Sequence, residues 1–392
     1  MIQESEGWKT VKLGELFSER TEKNFQNLTL LSITGTHGII PRSQLDSKDN
    51  SSEDKSKYLK ICAGDIGYNT MRMWQGVSAC SDYEGIVSPA YTVLKPASSV
   101  DSKYFSYLFK MPGMISKFYR YSQGLVDDSR NLKYYNFKEI CVFYPTDKKE
   151  QQKIAEILSV QDKIIQLKQN LIDEKKCKKK HLMQNLLTGK IRLKGFSGQW
   201  ERVRLGEIGK LYSGLTYSSD DMVNSEGVIV LRSGNIKDNR IDLSDNIYVK
   251  CDIDDKNRVK QNDILICTNN GSSNLVGKCA LITKEYSGLA FGAFMSVYRT
   301  EYSKFVFQCF QSFIIKKQIL RNSVAIINRI TSSDFNSFKI PFPSVEEQNS
   351  IIEILSEQDK EIELLEKQLE QEKLKKKSLM QLLLTGKVRV KI

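Results

Sequence analysis

The spacing of hydrophobic residues divides the chain into two kinds of segment, and each kind occurs twice. From about Trp8 to Pro145, and again from Trp200 to Pro343, short apolar runs alternate with Gly, Asn, Asp and Ser, which is typical of strands and turns with a few helices. From about Lys148 to Leu187, and again from about Glu346 to Leu384, apolar residues recur every three or four positions between charged ones. This spacing predicts two long amphipathic helices, each about 60 Å in length.

Shorter elements are also predicted. In the first strand-rich segment, Tyr104 to Lys110 and Met114 to Tyr121 are predicted helices, and in the second a helix is predicted from Lys304 to Leu320. Thr146 is a candidate cap for the first long helix, and Gly189 is a candidate stop, because glycine adopts the left-handed conformation easily. Strands are predicted at Val228 to Leu231, Asp263 to Cys267 and Met295 to Arg299.

The two halves of the chain repeat each other. Glu150 to Lys163 matches Glu347 to Lys360 at an offset of 197 residues, and the same offset relates the Leu-Leu-Thr-Gly-Lys sequences that contain Gly189 and Gly386. Gly64-Asp65-Ile66 resembles Asn262-Asp263-Ile264. The repeat indicates one structural plan used twice, in which a shared frame presents two different surfaces.

These patterns predict an α/β (α+β) fold in which two mixed α/β domains are separated by two long helices. Because neither helix can leave its apolar stripe in water, we expect the two to form an antiparallel coiled coil with pseudo-two-fold symmetry. Gln161 and Gln358 occupy otherwise apolar seam positions, where they either fix the register or face solvent. The predicted boundaries are 1–147, 148–190, 191–345 and 346–392.

Composition narrows the class of partner. The chain has 59 Lys and Arg against 47 Asp and Glu, a net charge of +12 that favours a polyanionic partner, although a merely basic surface is the alternative. Its eight cysteines form no Cys-x-x-Cys pair and are expected to be reduced thiols. No segment is apolar enough to span a membrane or to serve as a signal, so we expect a cytoplasmic protein with no membrane partner.

The order of segments, the sequence Gln-x-x-Ile-x-Glu-Ile-Leu-Ser at Gln151 to Ser159, and the Leu-Leu-Thr-Gly-Lys helix ends resemble the specificity subunits of type I restriction-modification enzymes. The resemblance covers essentially the whole chain. It implies a non-catalytic DNA-recognition subunit whose two domains each read one half of a split double-stranded target. It also implies that the paired helices dock methyltransferase subunits, two of them, and restriction subunits through these.

Side-chain chemistry independently favours recognition over catalysis. None of the seven prolines adjoins another, whereas a methylase of exocyclic amines uses an Asn/Asp-Pro-Pro-aromatic loop, and no Gly-Lys pair continues into a nucleotide-binding loop. The two histidines, His37 and His181, belong to different elements, so neither a zinc site nor a catalytic triad is expected.

No catalytic residue, metal or cofactor is assigned to this chain; S-adenosylmethionine, ATP and Mg²⁺ are expected only on partner subunits. The alternatives are a coiled-coil adaptor without DNA reading and a nuclease built on carboxylates.

Base reading requires paired donors and acceptors on loops that reach a groove. The candidates for this role, given below for each half, have an alternative explanation: their Asn and Ser residues serve turns, and Met71 and Trp74 are core residues. In the first half the candidate DNA-binding residues are Thr36, His37, Arg42, Asn69, Thr70, Met71, Arg72, Trp74, Gln123, Arg130 and Asn131. In the second half they are Arg232, Ser233, Asn235, Asn269, Asn270, Ser272, Ser273, Asn274, Lys278, Asn328 and Arg329.

The long helices carry the predicted partner contacts. The lysine runs at Lys175 to Lys180 and Lys373 to Lys377 could meet phosphates, an acidic partner or solvent. The helix lengths are expected to set the gap between the two DNA half-sites. The predicted partner-binding residues are Leu158, Gln161, Leu182, Leu186, Leu355, Gln358, Leu379 and Leu383.

Overall fold

The computed structural model describes residues 7–35, 37–46, 51–322 and 329–392. The chain divides into two compact units, the first formed by Met1–Gln169 and Lys367–Ile392, the second by Asn170–Glu366. Each unit therefore contains one strand-rich segment and one half of each long helix. Among the described residues no helix is long and apolar enough to cross a membrane.

The first unit mixes short strands and helices. Its strands are Trp8–Lys12, Phe17–Glu19, Leu31–Thr34, Gly38–Pro41, Leu59–Ile61, Ile66–Asn69, Ser78–Cys80, Gly85–Val87, Tyr91–Pro96 and Cys141–Pro145. Its shorter helices are Leu13–Leu16, Ser102–Leu108, Pro112–Tyr121 and Tyr134–Phe137. The first long helix, Lys148–Leu186, begins in this unit and ends in the other.

The second unit follows a related plan. Its strands are Glu201–Arg204, Lys210–Ser213, Met222–Val223, Val228–Leu231, Ile236–Lys237, Arg240–Ile241, Ile247–Val249, Ile264–Cys267, Cys279–Leu281, Ala290–Phe291, Met295–Arg299 and Lys339–Phe342. Its shorter helices are Leu205–Ile208, Ser303–Gln311, Phe313–Asn322 and Ser332–Ser337. The second long helix, Val345–Leu383, begins here and ends in the first unit.

Each unit contains an antiparallel four-stranded sheet, and these two sheets have equivalent strand orders. In the first unit the order is Phe17–Glu19, Tyr91–Pro96, Ile66–Asn69, Ser78–Cys80. In the second it is Lys210–Ser213, Met295–Arg299, Ile264–Cys267, Cys279–Leu281. One face of each sheet packs on the helices, where rings such as Phe105, Phe109 and Phe137, or Phe305, Phe310 and Phe335, are fully buried.

The repeated Gly64-Asp65-Ile66 and Asn262-Asp263-Ile264 sequences form the same turn before equivalent sheet strands. Gly64 and Asn262 both have a left-handed backbone, with φ of 90° and 67°. The following aspartate accepts a hydrogen bond from the backbone three residues earlier, and each aspartate is buried against an arginine. The predicted equivalence of the two turns is confirmed, and it places the loops after these strands in equivalent positions.

The long helices pair in antiparallel fashion within each unit, as predicted. In the first unit Gln161 Nε2 donates to the Glu372 carboxylate at 2.8 Å, while Lys168 Nζ donates to Gln368 at 2.9 Å. In the second unit Lys179 Nζ lies 2.6 Å from Asp359. Gln161 is buried, which decides its role in favour of register, because its amide bonds across the seam. Gln358 is half-buried, and its Oε1 has no partner among the described residues.

Two local predictions were wrong. The predicted helix from Lys304 to Leu320 is two helices, because the Ser312 hydroxyl donates to the Cys309 carbonyl at 2.6 Å and accepts from Ile314 N at 3.1 Å, which interrupts the backbone ladder. Thr146 does not cap the first long helix; its hydroxyl donates to the Gly7 carbonyl. Asp147 accepts from Lys149 N at 2.8 Å and caps the helix instead.

A buried Trp–Glu–Arg cluster joins the start of one long helix to the end of the other within the first unit. Glu150, 1 % exposed, accepts from Trp8 Nε1 at 3.3 Å and from Arg389 Nε and Nη2 at 2.6 and 2.8 Å. Gly386 has φ +71°, and a Cβ there would lie 3.3 Å from the Trp8 ring. Thus Gly386 is needed both for its conformation and for the close approach of the ring.

The second unit contains the same cluster. Glu347 accepts from Trp200 Nε1 at 2.9 Å and from Arg192 Nε and Nη2 at 2.7 and 2.8 Å, and Gly189 packs against the Trp200 ring. The cluster explains why the sequences around Glu150 and Gly189 recur, because in each unit such a glutamate and glycine join a tryptophan and an arginine to attach the strand-rich segment to both long helices.

Candidate nucleic-acid interface

In the first unit the loop after sheet strand Ile66–Asn69 is held in shape by its own polar groups. Asn69 Oδ1 accepts from Met71 N at 3.0 Å, and Trp74 Nε1 donates to the Met71 carbonyl at 2.9 Å. Met73 is fully buried and anchors the loop, while Met71 and Arg72 are exposed. The alternative that Met71 is a core residue is therefore wrong. Trp74 is half-buried, so its side chain is partly exposed at the loop.

A second loop, residues 123–131, is closed at its base by two backbone hydrogen bonds. Gln123 N donates to Asn131 O at 2.8 Å, and Asn131 N donates to Gln123 O at 2.7 Å. The Arg130 guanidinium lies 3.9 Å from the centroid of the Tyr119 ring and donates to its hydroxyl. The Tyr135 hydroxyl donates to Gln123 Oε1 at 2.6 Å. The loop thus presents amide, guanidinium and aromatic groups on a defined backbone.

The two loops and a nearby hairpin turn form one surface. Leu132 N donates to the Thr70 carbonyl at 2.8 Å, and the Trp74 and Tyr119 rings meet edge to face at 6.1 Å. A Cβ on Gly35 in the hairpin turn would lie 3.7 Å from Val77, so the exposed His37 belongs to the same region. The structure therefore brings together three segments that are far apart in sequence.

The second unit builds the equivalent surface with different side chains. Asn270 Oδ1 accepts from Ser272 N at 3.0 Å, and its Nδ2 donates to Ser233 Oγ at 3.2 Å. Lys278 Nζ donates to the Ser233 carbonyl at 3.3 Å, which joins the 232–235 and 269–278 loops. Exposed side chains of the longer loop are Ser272, Ser273 and Asn274.

A backbone hydrogen bond that is present in both units establishes the equivalence of the two surfaces. Ile330 N donates to the Thr268 carbonyl at 2.8 Å, which matches the bond from Leu132 N to Thr70 O at an offset of 198 for both residues. Asn269 forms an antiparallel bridge with the exposed Arg329. In each unit, therefore, an asparagine-containing loop lies beside a second polar segment, and the two pairs occupy equivalent positions on equivalent sheets.

Several predicted DNA-binding side chains have structural partners instead of a free polar edge. Asn235 is 1 % exposed; its Oδ1 accepts from Arg232 N, and its Nδ2 donates to the Asp242 and Asp245 carbonyls. It closes a turn and cannot reach a base. The Thr70 hydroxyl donates to the Ala90 carbonyl, and Arg42 is half-buried in a short 3₁₀ helix. Thr36 and Asn328 lie outside the described residues.

Sequence reasoning missed the aromatic part of these surfaces. Tyr119 and Tyr135 flank the 123–131 loop, and Phe294, 65 % exposed, has a carbonyl that accepts from Thr268 N and Asn269 N. At the tip of the first-unit loop, Leu125 is fully exposed. Met71 and Trp74 are the only apolar side chains among the predicted base readers, because no periodic signal marks an exposed ring in a loop.

Comparison with known proteins identifies the family. The model for the type I restriction modification DNA specificity domain matches residues 5–175 and 197–374, which is most of the chain. The chain belongs to this family. The two matches coincide with the internal repeat.

Individual relatives agree with this family. The chain is 29 % identical to the EcoKI specificity subunit of Escherichia coli K12 over 166 residues, 40 % of this chain and 35 % of that subunit, so this alignment spans about a third of the relative. Over longer stretches it is 29 % identical to the putative MjaX specificity subunit (88 % of this chain, 83 % of the relative) and 26 % identical to the MjaVIII subunit (98 % and 94 %), both from Methanocaldococcus jannaschii.

Solved structures share the fold. A chain from a type I restriction-modification complex superposes with a TM-score of 0.61 at 15 % identity, covering 98 % of this chain and 99 % of that one. The specificity subunit from M. genitalium gives a TM-score of 0.59 at 15 % identity, covering 98 % and 97 %. The predicted fold class, two mixed α/β units with long helices, is confirmed.

The residues predicted to bind partners on the long helices are mostly buried inside the chain. Leu158 and Leu383 belong to the core of the first unit, and Leu186 and Leu355 belong to that of the second. Leu182 and Leu379 are half-buried against these cores. Their apolar surface is already used within each unit, so a partner subunit would have to contact other residues of the helices.

The lysine runs are largely paired with acids. Lys175 and Lys176 pair with Glu361 and Glu366 in the second unit. In the first unit Lys376 pairs with Asp162 at 2.5 Å, and that carboxylate also accepts from the Tyr107 hydroxyl. Lysines engaged in such pairs are poorly placed to neutralise phosphates, which leaves exposed positions such as Lys180 and Lys377 for that role.

Candidate catalytic chemistry is sparse in the described part of the chain. The eight cysteines are free thiols, and burial raises the pKa of Cys80 and Cys279 to about 12, which keeps them protonated. Within residues 7–35, 37–46, 51–322 and 329–392, no group of three His, Cys, Asp or Glu is arranged to hold a metal ion.

Proposed function

We propose that this chain is the DNA sequence-specificity subunit of a type I restriction-modification complex. Each unit reads one half of a bipartite double-stranded target. The chain directs methyltransferase subunits, two of them, and restriction subunits through these, to the DNA. It is non-catalytic and holds no cofactor of its own; S-adenosylmethionine, ATP and Mg²⁺ act on the partner subunits.

The observation that carries this proposal is a pair of equivalent loop surfaces with different side chains. The bonds from Leu132 N to Thr70 O and from Ile330 N to Thr268 O put both surfaces on the same frame. On that frame the first unit offers Arg72 where the second offers Asn270. Because Arg72 is exposed and suits guanine while Asn270 shapes its own loop, the two units present different groups at this position and would read different bases.

Geometry narrows the candidates for direct base contact. A reader must be exposed, held by an ordered loop and not occupied by a structural bond. In the first unit Arg72 and His37 meet these conditions, and in the second Ser272, Asn274 and Arg329 do. Asn69, Thr70, Asn235 and Asn270 instead hold loop shape through the bonds described above, so their effect on specificity is indirect.

The proposed reading of the two halves can be tested with one variant in each unit. The chain would be reconstituted with its methyltransferase subunit and S-adenosylmethionine, and methylated sites would be selected from a random duplex library. Arg72→Ala should relax bases in one half of the motif only, and Arg329→Ala should relax bases in the other half only. A motif that changes in both halves with either variant, or one without an internal gap, would contradict the proposal.

A further inference from the structure

The tip of the 123–131 loop carries an apolar side chain that no described residue covers. Leu125 is fully exposed there, and its neighbour Val126 is 63 % exposed. At the neck of the loop Gly124 has φ +126°, and a Cβ on it would lie 2.6 Å from the Ser129 carbonyl oxygen, so the chain nearly touches itself and the tip projects from it. A single exposed leucine is ordinary on a protein surface, so its meaning depends on where it lies.

The backbone beside Leu125 is held in shape by hydrogen bonds of the loop. The Ser129 hydroxyl donates to the Val126 carbonyl at 3.0 Å and accepts from Val126 N at 3.4 Å, which closes a tight turn directly after Leu125. The Arg130 guanidinium lies over the Tyr119 ring and also pairs with Asp127 at 3.4 Å. An apolar side chain carried on such a bonded loop loses little conformational freedom when it meets a partner.

Leu125 belongs to the surface that carries the proposed base readers of the first unit. The bond from Leu132 N to the Thr70 carbonyl places its loop beside the loop that carries Arg72. In sequence, the charged residues of segment 112–133 are mainly basic, with Lys117, Arg120, Arg130 and Lys133 against Asp127 and Asp128. These surroundings favour a polyanion over another protein, so the exposed leucine would meet DNA.

We propose that Leu125 contacts the 5-methyl group of a thymine in one half of the target, an inference that rests on the proposed function. This methyl group is the apolar feature that base edges present in the major groove, and its position distinguishes T·A from A·T. Insertion of the leucine between two bases is the other way to bury it on DNA. Unstacking a base step costs about as much free energy as burying one leucine returns, whereas a methyl contact needs no deformation of the duplex. The balance therefore favours the methyl contact.

The contact can be tested by removing the methyl group and the leucine separately. The full-length chain would be reconstituted with its methyltransferase subunit, and methylated sites would be selected from two random duplex libraries, one made with thymidine and one with deoxyuridine in its place. Both selections would be repeated with Leu125→Ala, and the affinity of each chain for the methyltransferase would be measured. Met222→Ala, which shortens another exposed apolar side chain, on the second unit, is the control.

Deoxyuridine should reduce the wild-type preference for one A·T pair, within a single half of the motif, by about fourfold, the effect of one lost methyl contact. Leu125→Ala should cause a similar loss at that pair with thymidine and no further loss with deoxyuridine, while Met222→Ala should behave as wild type.

A wild-type preference that survives deoxyuridine would overturn the inference, because Leu125 would then not read a methyl group. Weaker methyltransferase binding by Leu125→Ala would also overturn it, since the leucine would then be a protein contact. A wild-type complex that selects no motif even from the thymidine library would instead refute the proposed function, which is a different result.

Discussion

Replacement of Glu150 by alanine tests the idea that the Trp–Glu–Arg cluster fastens the first unit together. The substitution removes the acceptor for two charge-assisted bonds from Arg389 and leaves Trp8 Nε1 buried without a partner. Charge-assisted bonds contribute about 1.5–3 kcal/mol, and an unpaired buried donor costs about 1–3 kcal/mol. The Arg389 side chain is 42 % exposed, so solvent screens part of the first contribution, and we expect a total loss of about 3 kcal/mol.

The assay is equilibrium urea unfolding with a thermal scan, in which about 3 kcal/mol corresponds to roughly 6–12 °C for a unit of this size. Glu156→Ala is the matched control, because Glu156 lies on the same helix and pairs with Lys153 at 2.8 Å on the exposed surface. That control should lose less than about 0.5 kcal/mol. If Glu150→Ala were no more destabilising than Glu156→Ala, the cluster would not hold the first strand to the long helices.

Three further predictions follow from the same structure. Gly386→Ala should destabilise the first unit by about 1–2 kcal/mol in urea unfolding, since φ is +71° and the Trp8 ring is close; wild-type stability would contradict this. Asn235→Ala should lower the melting temperature without altering the methylated motif. An altered motif would show that Asn235 reads a base, which would contradict its assignment as a turn residue. Seven residues inserted into each long helix should lengthen the gap between half-sites by about three base pairs. An unchanged gap in methylation sequencing would refute the prediction that helix length sets the gap.

The long helices could be predicted from sequence almost to the residue. The predicted Lys148 to Leu187 and Glu346 to Leu384 became Lys148–Leu186 and Val345–Leu383, because an apolar spacing sustained over many turns leaves few alternatives. The break at Ser312 was missed because it depends on a single hydroxyl that bonds to the backbone, and neighbouring apolar residues keep helical spacing through it.

The candidate interface was predictable as loops but not as individual residues. Arg72 and Asn235 were equally reasonable base readers from sequence, yet one is exposed and the other is enclosed by three carbonyl and amide groups. Burial of a turn residue depends on contacts with distant segments, which no local pattern records. The Trp8–Glu150–Arg389 cluster was likewise hidden, since its members are separated by 142 and 239 positions.

The most direct test of the account is a map of methylated positions in the host genome by single-molecule sequencing. It would compare the wild-type chain with a chain in which the loops 269–274 and 329–331 are replaced by those of a relative. The account predicts a motif in two parts with a fixed internal gap, in which the exchange alters one part and leaves the other part and the gap unchanged. A single uninterrupted motif, or changes in both parts, would contradict it.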